Sequence, residues 1–236
     1  MQFTMHFDPS PDVCAAARRC EADVFSAVYG NTEAQWLLEY GPYDPNSVFL
    51  AITEPGGEAA AMCRFILPGG PGLKTLDDLS RPPWEIDGTR SARAAGLRLE
   101  QTWDVATIAV RRKAAKPGLL AAALYHGLFQ ATTLNNVGWI VMMMDERARR
   151  LLSLLNVVTN VLPGAPAGPY LGSPKTFPLW ANVAAMADRQ RAVDPDAFRL
   201  LGEGSGLDGI SVPPRSAFRL GGAVPEPAAL PASAPA

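Results

Sequence analysis

The stretch Thr102-Trp103-Asp104-Val105-Ala106-Thr107-Ile108-Ala109-Val110-Arg111-Arg112-Lys113-Ala114-Ala115-Lys116-Pro117-Gly118 decides the architecture. Its first nine residues are rich in β-branched and aromatic side chains and read as a strand. Arg111 to Lys116 form a basic turn, and Pro117-Gly118 then opens an apolar helix running to about Asn135. Proline suits the first helical turn, because the N–H it lacks would have no intrahelical partner there. Such a helix start carries unpaired N–H groups and a partial positive charge. Arg111, Arg112, Lys113 and Lys116 beside it, with Gly118 admitting close backbone approach, make a seat for a phosphate. A solvated basic turn is the alternative reading on spacing alone.

Working outward, Val137 to Met144 is an almost wholly apolar strand, as expected of one covered on both faces. Asp145 caps a following helix to about Leu155, a Pro/Gly-rich loop spans Asn156 to Pro169, Phe177 to Val183 reads as a last strand and Ala184 to Arg191 as a helical turn. Upstream, Val13 to Tyr29 has apolar residues at helical spacing, with Asp12 placed to cap it. Glu33 to Tyr40 is a short helix or strand entry. Ser47 to Thr53 and Ala59 to Leu67 form a hairpin around Pro55-Gly56-Gly57. Leu73 to Leu97 is an excursion carrying short helices, and the chain beyond about Gly202 is loop-like. The expected fold class is α/β, a mixed and mostly antiparallel central sheet flanked by helices. One domain is expected over residues 1–220, with a flexible Ala/Pro-rich tail over 221–236.

Composition narrows the function classes. The 236 residues carry 21 Lys+Arg against 23 Asp+Glu, a formal net charge of −2, which argues against a nucleic-acid binder. Cys14, Cys20 and Cys63 form no CxxC, so neither a disulfide framework nor a cysteine-based zinc site is expected. With two histidines, His6 and His126, no metal centre is expected either. No signal-peptide pattern opens the chain and no apolar run is long enough to span a membrane, so a cytoplasmic location is expected.

Residues that carry chemistry cluster around the central strand. Glu39, Asp44 and Asp104 are acids flanked by apolar or turn residues, and Arg64 is a lone cation in an otherwise apolar strand. A charge so placed needs a partner, and one of these acids is expected to provide it. The pair either ties the N-terminal helices to the sheet or helps bind a substrate. Met142-Met143-Met144 reads as core, or as the lining of a channel for a long apolar chain.

The strand–turn–helix resembles the acyl-CoA signature of the GNAT acyltransferase superfamily, Arg/Gln-x-x-Gly-x-Gly/Ala. Lys113 stands at the Arg/Gln position, Lys116 at the first glycine and Gly118 at the last small residue. The run from about Arg19 to Val110 is similar to the autoinducer-synthase branch, which includes the N-acyl amino acid synthases. That branch carries Glu-x-Asp-x-x-Asp, matched here by Glu39 and Asp44 with Gly41 at the middle position. It has an Arg on the returning hairpin strand, matched by Arg64, and a Glu-x-x-Arg on the central strand, where this chain has Asp104 and Thr107.

The resemblance implies transfer of an acyl group from acyl-CoA or an acyl carrier protein to the amine of a small molecule. Glu39 or Asp104 would receive the proton, and Asp44, Arg64 and Thr107 would bind the acceptor. Ile108, Ala109, Val110, Arg112, Lys113, Lys116, Gly118 and Leu119 would hold the donor. Many GNAT enzymes protonate the leaving thiolate with a tyrosine on the later helix, where this chain has leucine; Tyr125 and Ser153 are substitutes. A surface of Arg147, Arg149 and Arg150 with the basic turn would suit an acidic carrier protein. An inactive acyl-thioester or protein-binding module and an acetyl-CoA-dependent N-acetyltransferase are the competing readings.

Overall fold

All eight residues of Ala59–Ile66 are buried, because helices cover both faces of the sheet at that strand. The computed structural model describes residues 2–221. In chain order the elements are β1 (Phe3–Phe7), α1 (Pro11–Tyr29), α2 (Glu33–Tyr40), a 3-10 stretch (Gly41–Asn46), β2 (Ser47–Thr53), β3 (Ala59–Ile66), α3 (Lys74–Asp78), α4 (Gly88–Ala94) and β4 (Thr102–Val110). There follow α5 (Pro117–Leu134), β5 (Trp139–Asp145), α6 (Glu146–Leu154), β6 (Asn160–Val161), β7 (Gly168–Tyr170), β8 (Ser173–Asn182), α7 (Val183–Val193), α8 (Pro195–Leu201) and β9 (Ile210–Ser211). The sheet order is β6-β8-β5-β4-β3-β2-β1-β9, with β7 pairing β8. Only β4–β5 and β1–β9 are parallel among the described pairs. The expected mixed, mostly antiparallel sheet flanked by helices is therefore the architecture observed.

Each face of the sheet has its own cover. Leu120, Leu124 and Leu128 of α5 pack on Leu50, Cys63, Phe65, Val105 and Met142. On the other face, the small Ala16, Ala17 and Cys20 of α1 bring that helix close to Phe49, Ala51, Met62 and Ala109. The excursion between β3 and β4 folds Leu73, Leu76, Leu79 and Trp84 over Val141 of β5, beside Trp139 and Met143. Each of these Leu, Val, Phe and Met side chains contributes about 1.5–3 kcal/mol when fully buried.

Two strand pairings determine where the sheet opens. The β3–β4 ladder carries a bulge: Arg64 pairs Thr107 and Phe65 pairs Val105, leaving Ala106 without an opposite residue. Bulges bend a strand and raise its local twist. The β4–β5 ladder runs for three rungs only, Thr102 with Trp139, Trp103 with Ile140 and Asp104 with Val141. Beyond that rung β5 stays paired with β8 as far as Asp145, while β4 continues to Val110 along β3.

Several expectations need correction. The sequence reading has no strand at β1, although Phe3, Met5 and Phe7 alternate with polar residues. Ser10, not Asp12, stands at the start of α1, which Pro11 opens, and Asp12 lies in its first turn. The last long strand begins at Ser173 rather than Phe177 and pairs with β5 through Thr176. Short strands interrupt the loop expected over 156–169, and β9 within the loop-like C-terminal region pairs with β1. The tail expected over 221–236 lies outside the described residues, save Gly221.

Candidate active site

A cavity of about 170 Å³ opens where β4 and β5 part. Val105, Ala106, Thr107 and Ile108 line one side and Met142, Met143, Met144 and Asp145 the other. Four of the five tyrosines reach it: Tyr29 from α1, Tyr40 from α2, Tyr125 from α5 and Tyr170 from the end of β7. An apolar compartment of about 50 Å³ adjoins it, sharing Val105, Ile108, Tyr125, Met142 and Met144, and lined further by Leu128, Phe129, Ile140 and Met186.

Tyr170 is delivered by a two-residue hairpin turn, Leu171-Gly172, whose φ angles are +43° and +88°. Two positive φ values suit the right-handed twist of the flanking strands. Any side chain at Gly172 would collide with the Tyr29 carbonyl oxygen, so only glycine lets the turn press against the end of α1. The Tyr170 hydroxyl donates to Asp78 at 2.5 Å. That of Tyr29 donates to Asp145, whose other oxygen caps α6 by accepting from the Ala148 N–H at 2.6 Å. Burial and the Asp145 carboxylate both hold the Tyr29 phenol above its usual range. Tyr40 and Tyr125 line the cavity with no hydrogen-bond partner among the described residues. Burial pushes Tyr125 up to about 12.

Behind the wall stand two ion clusters. Arg64, 2% exposed, reaches Glu21 with Nε at 3.0 Å and Nη2 at 2.6 Å, and Asp44 with Nη1 at 2.6 Å. Thr107 donates its hydroxyl to the same Glu21. Burial alone would lower the Arg64 guanidinium; Glu21 and Asp44 outweigh it and raise its pKa. The second cluster centres on Lys74, whose Nζ lies 2.7 Å from both Glu39 and Asp78. Asp104 is fully buried and accepts from the Thr75 N–H at 2.5 Å and its hydroxyl at 2.9 Å, pinning α3 to β4. Burial raises its carboxyl to about 7 against those two donors.

The structure brings together only some of the residues read from sequence. Thr107 and Ile108 line the cavity. Arg64 pairs with Asp44, as one of the expected acids, but also with Glu21, which the sequence reading missed. Glu39 and Asp104, expected to take a proton, do not line the cavity: Glu39 is held by Lys74 and Arg81, and both Asp104 oxygens are engaged by Thr75. Ala109 packs against α1, whereas Val110 and Leu119 pack with the α5 face. Arg112, Lys113 and Lys116 are exposed and make no ion pair among the described residues. Arg111 is different, since it binds Asp23 at 2.9 Å and so does not serve the seat. Among the described residues no side chain caps α5, and a Cβ at Gly118 would meet open space.

The signal that would have found Glu21 is its place among Ala17, Cys20, Val24 and Phe25, on the apolar stripe of α1. Tyr29, Tyr40 and Tyr170 had no such local signal. Cys20 and Cys63 are buried, and burial pushes the Cys20 thiol up to about 11 and that of Cys63 well above its usual range, which disfavours the nucleophilic thiolate. No group of three or more His, Cys, Asp or Glu among the described residues is arranged to hold a metal ion. No described helix is long and apolar enough to cross a membrane.

These clusters make two outcomes testable. Arg64→Ala leaves Glu21 buried without its cation, and should cost about 3–5 kcal/mol in urea or thermal unfolding. Adding Glu21→Ala to that variant should recover part of the loss; an unchanged melting temperature in the single variant contradicts the buried pair. Asp104 has a folded pKa raised to about 7 from an ordinary 3.8. The folded state therefore holds its proton longer than the unfolded chain. The resulting stability is fully present below pH 3.8 and declines as pH rises to about 7. Measured against Asp104→Asn, which does not titrate, wild type should lose up to about 4 kcal/mol across that window. A flat difference would show that Thr75 keeps the carboxylate ionised.

No protein-family model matches the chain, and no curated sequence does. Solved structures do. FeeM, an N-acyl amino acid synthase from uncultured soil microbes, superposes with a TM-score of 0.59 at 14% identity, over 80% of this chain and 94% of its own. BjaI, a CoA-dependent acyl-homoserine lactone synthase determined with SAM and isopentyl-CoA, gives 0.57 at 15%, over 92% and 96%. The AHL synthase LasI gives 0.54 at 11%, over 82% and 94%. The chain thus has the fold shared by acyl-homoserine-lactone and N-acyl amino acid synthases, the branch its sequence resembles.

Proposed function

We propose that the protein is an N-acyltransferase that moves an acyl group from a CoA or acyl-carrier-protein thioester to the amine of a small molecule. The observation that carries this reading is the parting of β4 and β5 over a cavity. Strand edges left unpaired there offer N–H and C=O groups to the amide-bearing arm of such a donor. At the far end of β4, the uncapped start of α5 with Arg112, Lys113, Lys116 and Gly118 suits the phosphates. The apolar compartment beyond Met142 and Met144 receives the acyl chain, in keeping with the adaptable shape of methionine.

The reaction forms one C–N bond and breaks one C–S bond. An amine nitrogen attacks the thioester carbonyl, loses a proton, and a thiolate departs and is protonated. Asp145 is the carboxylate in the cavity lining and is assigned the amine's proton. The Tyr125 hydroxyl, free of a protein partner among the described residues and carried by a side chain that lines both compartments, is assigned to the departing sulfur. Glu39 and Asp104 act as positioning residues: they hold Lys74 and Thr75, and so the wall that carries Tyr40 and Tyr170. Donor size favours an acyl chain longer than acetyl, because the apolar compartment would stand unfilled behind an acetyl group.

The test is thiol release from acyl-CoA and acyl-carrier-protein esters of graded length in the presence of amines. Turnover with an optimum beyond acetyl is expected; an acetyl optimum supports the small acetyltransferase, and tight ester binding without turnover supports the binding module. Replacing Lys113 and Lys116 with Glu should weaken CoA-ester binding at least about tenfold, ~1.4 kcal/mol, at unchanged melting temperature. Unaltered calorimetric affinity would remove the phosphate seat.

A further inference from the structure

The charge inside the cavity points to the class of acceptor. Asp145 is the acid in its lining, and among the described residues no Lys, Arg or His lines it. The two buried cations nearest by contact lie against the Tyr40 ring, with the Arg64 guanidinium carbon 5.1 Å and the Lys74 ammonium 5.0 Å from its centroid. Each already contacts two carboxylates, Glu21 and Asp44 for Arg64, Glu39 and Asp78 for Lys74. Neither is free to meet another anion. An acceptor carrying a carboxylate beside its amine would bring that carboxylate against a lining that holds an acid and, among the described residues, no cation, and buried charge without a partner is strongly disfavoured.

An ammonium meets the opposite reception. Both Asp145 oxygens already accept one hydrogen bond each, from Ala148 and Tyr29, and a carboxylate can accept more. Phe25, Tyr29, Tyr40, Tyr125 and Tyr170 turn aromatic surface to the same space, and a ring face attracts a cation. Resting on the acyltransferase reading, we infer that the acceptor is a primary amine bearing no carboxylate, seated with its nitrogen at Asp145 among these rings. The acceptor class therefore differs from the amino acid of the N-acyl amino acid synthase that shares the fold. Arg147, exposed on α6 and close enough to act on Tyr29, lies outside the lining.

Matched pairs test this: tyramine against tyrosine and phenethylamine against phenylalanine, each titrated into the full-length protein by calorimetry and then offered with acyl-CoA esters while amide product is followed by mass spectrometry. Each amine should bind at least about tenfold more tightly than its amino acid, the discrimination expected when a site leaves a buried polar group unpaired. Asp145→Asn keeps a residue suited to capping α6 and should weaken binding of each amine at least about tenfold, the loss expected when an ammonium gives up its carboxylate partner. Amino acids binding as tightly as the amines, or no binding by either, overturns the inference. An amino-acid preference abolished by Arg147→Ala would overturn it too and name the cause. Amine binding without amide formation leaves the acceptor class standing and instead refutes the acyltransferase reading.

Discussion

A parallel ladder that stops after three rungs is the constraint on which the rest of the molecule depends. β5 remains committed to β8 along its whole length, so it cannot follow β4. β4 remains paired with β3, but through a bulge at Ala106 that sits beside the Arg64–Thr107 rung. A bulge bends its strand and increases the twist, so β4 leaves β5 where the cavity begins. At the same rung, Arg64 and Thr107 both bind Glu21 of α1. The helix on one face and the bulge are thus tied to a single buried carboxylate.

This arrangement places the two ion clusters behind the cavity and leaves its surface mostly aromatic and apolar, with Asp145 as its carboxylate among the described residues. Arg64 and Lys74 each lie against Tyr40 with two acids to neutralise them. Buried pairs of this kind add little net stability against an apolar replacement, but they cost heavily when one partner is removed. Their evident effect here is geometric: they fix Tyr40, Thr107 and the α3 segment around the cavity, while Asp104 anchors Thr75 at the last β4–β5 rung. Sequestering the ions in the wall keeps the space itself suited to an apolar chain and an amine.

The architecture is legible in the sequence where local pattern and tertiary role coincide. The strand from Thr102, the basic turn and the helix opened by Pro117 can be placed within a residue or so, because alternation, charge and proline act over short range. Arg64 announces itself as a charge in an apolar strand. Its partner Glu21 is harder, since an acid on a helix reads as solvated until the helix's buried face is known. Tyr170 is out of reach: it enters the cavity through a two-residue turn at the end of a three-residue strand, and meets Asp78, 92 positions earlier in the chain. Glu39 and Asp104 stand out as acids that matter, yet their partners turn them toward the wall.

Hydrogen–deuterium exchange, with and without a non-transferable thioether analogue of a long-chain acyl-CoA, tests the parting of β4 and β5 most directly. Amides of Val105 to Ile108 and of the first turn of α5 should exchange more slowly once the analogue is bound, with the β2–β3 ladder unchanged. Saturating analogue that leaves those amides untouched, or that protects a different edge of the sheet, would contradict the account.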